Sequence, residues 1–152
     1  MVLDGKIYAI GGHDGAGALD TVEVYDPQAN SWQRVARMPR GLYMHAAAVM
    51  GGKIYVTGGA NGAFNWNTVN SAYVYDPQAN AWAQLTSMGI ARRLHASAAV
   101  GGKLYVFSHL FSGYSTGSAR LSTAEVYDPA LDSWAQVTSL TSARSSVRAV
   151  AL

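Results

Sequence analysis

The chain has 152 residues, a length that suits one domain, and 49% of them are apolar while only 13% are charged, about half the usual charged share. A formal charge of +2 is too small to point to nucleic acid, and no apolar run is long enough to span a membrane. There is no cysteine, which excludes disulfides, thiolate metal sites and cysteine nucleophiles.

The chain opens on alternating residues, Lys6–Ile10, that read as a strand. The Gly11-Gly12 doublet ends it, and a glycine-rich loop (13–20) follows. A second strand runs into Tyr25-Asp26-Pro27, where proline removes the ladder N–H, and a further strand carries Trp32. The same order then repeats more completely. A short apolar stretch (45–50) is joined through Gly51-Gly52 to Lys53–Thr57, which predicts a tight hairpin because two glycines supply positive φ. Gly58-Gly59 closes that strand, a long polar loop follows, and residues 72–75 lead into Asp76-Pro77. Residues 76–80 are turn chemistry, and Ala81–Leu85 is the fourth strand, centred on Trp82. The third copy has Gly102-Lys103-Leu104-Tyr105, Tyr127-Asp128-Pro129 and Trp134, but Ser108-His109 stands where the others have the glycine doublet. The sequence ends on a stretch (147–152) equivalent to 45–50.

The Tyr-Asp-Pro motifs lie 50 and 52 residues apart, with Trp seven residues after each Tyr. A repeat of this period is one unit that buries its faces only by stacking on its neighbours. Four short antiparallel strands per unit describe a propeller blade. The alanine-rich inner stretches fit strands crowded near an axis, and Trp32, Trp82 and Trp134 are expected to fill the wider outer wedge as core residues.

The glycine doublet (Gly11-Gly12, Gly58-Gly59), the Tyr-Asp-Pro (Tyr25, Tyr75, Tyr127) and the Trp seven beyond resemble the kelch motif over essentially the whole chain. The expected fold is therefore an all-β, kelch-type β-propeller with three four-stranded blades. Strands two to four of the first blade span about 5–36, the second blade about 43–87, the third about 93–139, and a closing inner strand about 145–152.

Three blades are too few to close a ring. The chain begins in the second strand of one blade and ends in the first strand of another. A homodimer solves this: two chains make six blades, and the C-terminal strand of each completes the partner's first blade. With 149 residues between equivalent positions, residues 1–3 and 150–152 compete for one place. The rival reading is a fragment or an engineered half of a six-bladed parent.

In kelch proteins, ligands are taken on the face carrying the loops between strands two and three and between successive blades. The resemblance therefore singles out 13–20, 60–70 and 110–121, with 40–44, 91–94 and 143–146. Arginines and aromatics there form the candidate ligand-binding set: Arg40, Tyr43, Trp66, Arg92, Arg93, Tyr114, Arg120 and Arg144. Guanidinium forks suit carboxylates, and exposed aromatics suit sugar faces or peptide side chains. For Arg92 and Arg144 the competing reading is hydrogen bonding to a neighbouring blade. His45 and His95 open the inner strands, and a blade-to-blade hydrogen bond is favoured over metal because the third slot is Val147. Glu23 and Glu125 are expected to pair with a neighbouring blade.

No catalytic residue, cofactor or metal is expected. The copper radical oxidases of this fold need a cysteine, and the ligand run of the iron-dependent specifier proteins has no match. The leading reading is a non-enzymatic interaction module, a homodimer through terminal strand exchange that takes an acidic peptide or acidic sugar, with no nucleic acid and no membrane. The alternatives are a mutarotase-like enzyme acting on an acidic sugar and an engineered scaffold without a ligand. No N-terminal signal pattern is present, and the compartment stays open.

Overall fold

The computed structural model describes residues 1–62, 67–112, 118–144 and 146–149, without the side chains of 108–112 and 118–120. In chain order the strands are β1 (Val2–Leu3), β2 (Lys6–Ile10), β3 (Val22–Asp26), β4 (Ser31–Val35), β5 (Ala46–Met50), β6 (Lys53–Thr57), β7 (Ala60–Asn61), β8 (Asn67–Thr68), β9 (Ala72–Asp76), β10 (Ala81–Leu85), β11 (Ala96–Val100), β12 (Lys103–Ser112), β13 (Ser118–Asp128) and β14 (Ser133–Val137). They form three four-stranded antiparallel sheets, β1-β2-β3-β4, β5-β6-β9-β10 and β11-β12-β13-β14, with β7-β8 a separate ribbon. Among the described residues there is no helix.

Two expectations about strands need correction. The first sheet does not lack its inner strand: Val2 pairs with Ile7 and Leu3 with Lys6, turning through Asp4-Gly5, both at positive φ. The residues 110–121 are not mainly a loop, because β12 runs on to Ser112 and β13 starts at Ser118. The missing glycine doublet explains this. With Ser108-His109 in its place, nothing turns the backbone out of the ladder, and the strand passes through a register shift between Phe107 and His109.

The repeated motifs are two sides of one set of contacts. The Lys that opens each second strand meets the Asp that ends the third: Lys6–Asp26 at 3.0 Å, Lys53–Asp76 at 2.8 Å and Lys103–Asp128 at 2.9 Å. That lysine bond, followed by backbone amides in the turn, holds all three carboxyls below the usual aspartate range. The motif tyrosine donates across the same turn, from Tyr25 to Asn30, Tyr75 to Asn80 and Tyr127 to Asp132, at 2.7–2.8 Å. Those acceptors sit at φ 43–48°, a left-handed conformation that Asn and Asp tolerate best among residues with a side chain.

Trp82 and Trp134 are half-buried and pack against the two core clusters as expected, whereas Trp32 is exposed. Each stacks tilted on its own motif tyrosine, 5.1–5.2 Å between ring centroids, and the second and third reach back to the preceding blade. Trp82 Nε1 donates to the Ala36 carbonyl at 2.9 Å, and Trp134 Nε1 to that of Thr86 at 2.8 Å. The same two residues donate their N–H forward, Ala36 to Asn80 Oδ1 at 2.9 Å and Thr86 to Asp132 Oδ1 at 3.0 Å. One residue after each fourth strand is thus clasped on both backbone groups by the next blade. Trp32 has no preceding blade in the chain and is 53% exposed.

Candidate functional site

The segments entering the second and third blades, and the segment after the third, lie side by side at one end of the sheets. Met44, Leu94 and Ser146 occupy equivalent positions, all near φ 55°, and hydrogen-bond in series: Leu94 N–H to the Met44 carbonyl and Ser146 N–H to that of Leu94, both 2.9 Å. Tyr43 is buried, pairs its backbone with Ala60 in both directions and sets its ring edge-on to His13 at 5.0 Å. Arg40 is exposed, with Nη1 3.3 Å from the side-chain amide of Asn61. Arg93 is buried and donates from Nη1 to Thr68 Oγ1 at 3.0 Å, tying the β7-β8 ribbon to the loop entering the third blade.

Arg92 is not a ligand-facing residue. It is fully buried, with Nη2 and Nε 2.8 and 3.1 Å from Glu125 Oε2 and Nη1 donating to the Thr123 carbonyl at 2.9 Å. Glu125 Oε1 accepts in turn from the Gly89 N–H at 2.7 Å. Glu125 therefore pairs across blades as expected. Glu23 does not, because Arg34 of its own sheet lies 3.5 Å away. Arg144 is exposed and contacts Ser142 Oγ. Trp66 and Tyr114 lie outside the described residues. So does the side chain of Arg120, whose backbone pairs with Leu110 in the β12-β13 hairpin.

The inner strands border a cavity of about 400 Å³, lined by Tyr8, Ile10, His45, His95, Ser97 and Arg148 among others. His95 Nε2 is 2.9 Å from Thr57 Oγ1 at the end of the preceding blade's second strand, the blade-to-blade bond expected of it. His45 faces Ile10 at the equivalent position and has no hydroxyl there; burial pushes its imidazole down to about 4, against a hydrogen bond to the Leu42 backbone that raises it. His45 is thus neutral near pH 7. Among the described residues no group of three or more His, Cys, Asp or Glu could hold a metal ion. The closing strand expected from 145–152 is not formed among the described residues 146–149.

The depressed imidazole makes stability depend on pH. The unfolded chain takes up a proton near 6.5 and the folded chain only near 4, so stability is full above pH 6.5 and falls as pH drops between those values, by up to about 3 kcal/mol. His45→Val, which copies Val147, should flatten that slope in urea unfolding measured from pH 7 to 4. An unchanged slope would assign the acid sensitivity to other groups.

The KLHDC2/KLHL20/DRC7 Kelch-repeats domain matches residues 1–108, and the Kelch motif matches 91–141. The chain belongs to the kelch-repeat family. Its kelch relatives include human Kelch-like protein 33, 45% identical over 62 residues (41% of this chain, 12% of the relative), and Kelch-like protein 7 from Rattus norvegicus, 50% identical over 58 residues (38% and 10%). The chain therefore matches only about a tenth of the length of these relatives. A structure titled "Structure of YjhT" superposes with a TM-score of 0.74 at 20% identity, over 95% of this chain and 52% of that one, which establishes the kelch propeller fold. The sequence signals that located the repeats were strong. What the sequence left open is the role of Arg92, which stands in a loop rich in arginine where nothing local distinguishes a buried guanidinium from an exposed one.

Proposed function

We propose that this chain is a non-enzymatic interaction module, and that two copies assemble a six-bladed ring whose channel-mouth loops hold an acidic peptide. The observation that carries the assembly is the uncovered face of the first sheet, where Ile7 is 42% and Trp32 53% exposed while their equivalents Ile54 and Leu104 are 0% exposed and Trp82 and Trp134 half-buried against the preceding blade. The ligand reading rests on Arg40, exposed beside Asn61, with Arg93 and Tyr43 anchoring the surrounding loops. Trp66, Tyr114 and Arg120 belong to the same loop set by position in the sequence.

An array of acidic, neutral and basic peptides tests the face. Acidic peptides should be retained selectively, and Arg40→Ala should weaken them about 10-fold, the size of one charged hydrogen bond. Equal retention of all three classes would refute the anion reading. Assembly is read from particle mass, expected at twice 16.1 kDa. In strand exchange residues 147–152 would have to displace or extend the partner's two-residue β1; removing them should then lower that mass to one chain, and a truncated chain that remains dimeric would rule out strand exchange.

A further inference from the structure

The three repeats show what each blade-to-blade seam requires. Leu42, Arg92 and Arg144 are equivalent, as are Tyr73, Glu125 and Glu23, and so are Pro39, Gly89 and Thr141. At the first seam Leu42 and Tyr73 share one apolar cluster, and Pro39 offers no N–H. At the second, Arg92 meets the Glu125 carboxylate and the Gly89 N–H donates to it. All three positions change together, from an apolar set to an ionic one. The two residues left at the open ends, Arg144 after the third blade and Glu23 in the first, repeat the ionic set, and Thr141 has an N–H to give.

The geometry points to a third seam made between two copies of this chain, in which Arg144 and the Thr141 N–H of each close on Glu23 of the other. This inference rests on the dimeric reading above and names the residues that make it. Burial supports it. Leu42 and Arg92 are both 0% exposed, whereas Arg144, the same position at the open end, is exposed. Ile54 and Leu104 face the preceding blade at 0% exposure, while Ile7 in the first blade is 42% exposed. The clasp is open at both ends as well. Ala36 and Thr86 are held by the Asn or Asp and Trp of the next blade. Thr138 is the equivalent residue after the third blade, and Asn30 and Trp32 are the equivalent pair in the first. Each copy so carries one half of a latch that the other half fits, and two-fold symmetry joins both pairs at once. Thr141 carries a Cβ that Gly89 lacks, so the Glu23 carboxylate, at the end of a flexible side chain, moves aside for it.

Charge reversal tests the seam without breaking either half-ring, because Arg144 and the open face of the first sheet lie at the ends. Arg144→Glu alone sets Glu against Glu in both seams of a dimer, and Glu23→Arg alone sets Arg against Arg. Each should weaken self-association by at least about 100-fold in sedimentation equilibrium, as expected for opposing two desolvated pairs. An equimolar mixture of the two variants restores both pairs in every heterodimer and should sediment as a dimer with one chain of each kind, as should the double variant with itself. Circular dichroism checks that the monomeric variants keep their strands. If the unmodified chain is dimeric and both single variants remain so, or if the mixture stays monomeric, this seam is wrong and the ring needs another closure. If the unmodified chain is monomeric at all concentrations, the dimeric reading fails and this inference with it.

Discussion

Replacing Arg92 with Leu is expected to destabilise the chain by about 3–5 kcal/mol, because it leaves the Glu125 carboxylate buried without its cation. Glu125 is 2% exposed and Arg92 fully buried, so neither charge can turn to water. The loss belongs to the orphaned partner and not to the pair, which by itself stabilises little after desolvation. Changing Glu125→Tyr in the same chain, with Gly89→Pro, installs the set that the first seam already uses: Leu42, Tyr73 and Pro39. That triple variant should recover most of the lost stability in urea unfolding. A triple variant no more stable than Arg92→Leu would mean that the two seams are not interchangeable and that the correlated residues at these positions have another origin. The single variant also separates two roles for this arginine. A ligand contact would leave the unfolding midpoint unchanged; a seam contact moves it.

The division between what was and was not legible in the sequence follows from the range of the interactions. The ladder of β2, β5, β6, β10 and the inter-strand turns could be read because alternation, glycine pairs and Tyr-Asp-Pro act within a few residues. The extended β12-β13 hairpin was legible only as a departure, since Ser108-His109 announces that the glycine doublet is absent but not that the strand continues. The tryptophans show the limit more sharply. Their size announced that Trp82 and Trp134 pack against the core, but not that each indole N–H reaches a carbonyl 46 or 48 residues earlier. Such a bond has no local pattern. For Arg92 ligand contact and a blade-to-blade bond stayed open for the same reason, its partner being 33 residues away. Comparing the repeats position by position makes these contacts readable, because a contact between blades obliges equivalent positions to change in concert.

Gly58→Ala should cost about 3–4 kcal/mol, several times more than Gly51→Ala, although both glycines sit near φ 59°. At Gly51 an added Cβ meets nothing within 4 Å, so the change carries only the left-handed strain of an L-residue, about 1 kcal/mol. At Gly58 the same methyl would lie 2.3 Å from the Arg92 carbonyl oxygen and 2.8 Å from His95 Cε1. That carbonyl cannot withdraw, since it accepts from the Gly59 N–H at 2.6 Å and belongs to the residue locked on Glu125. The His95 ring is held by Thr57. The methyl must therefore push the third blade away from the second, and the Arg92–Glu125 pair opens with it. In a background carrying Arg92→Leu, where that pair is already lost, the extra cost of Gly58→Ala should shrink, a coupling that a double-mutant cycle reads directly. Strict additivity of the two changes would show that the doublet serves its own turn and nothing beyond it.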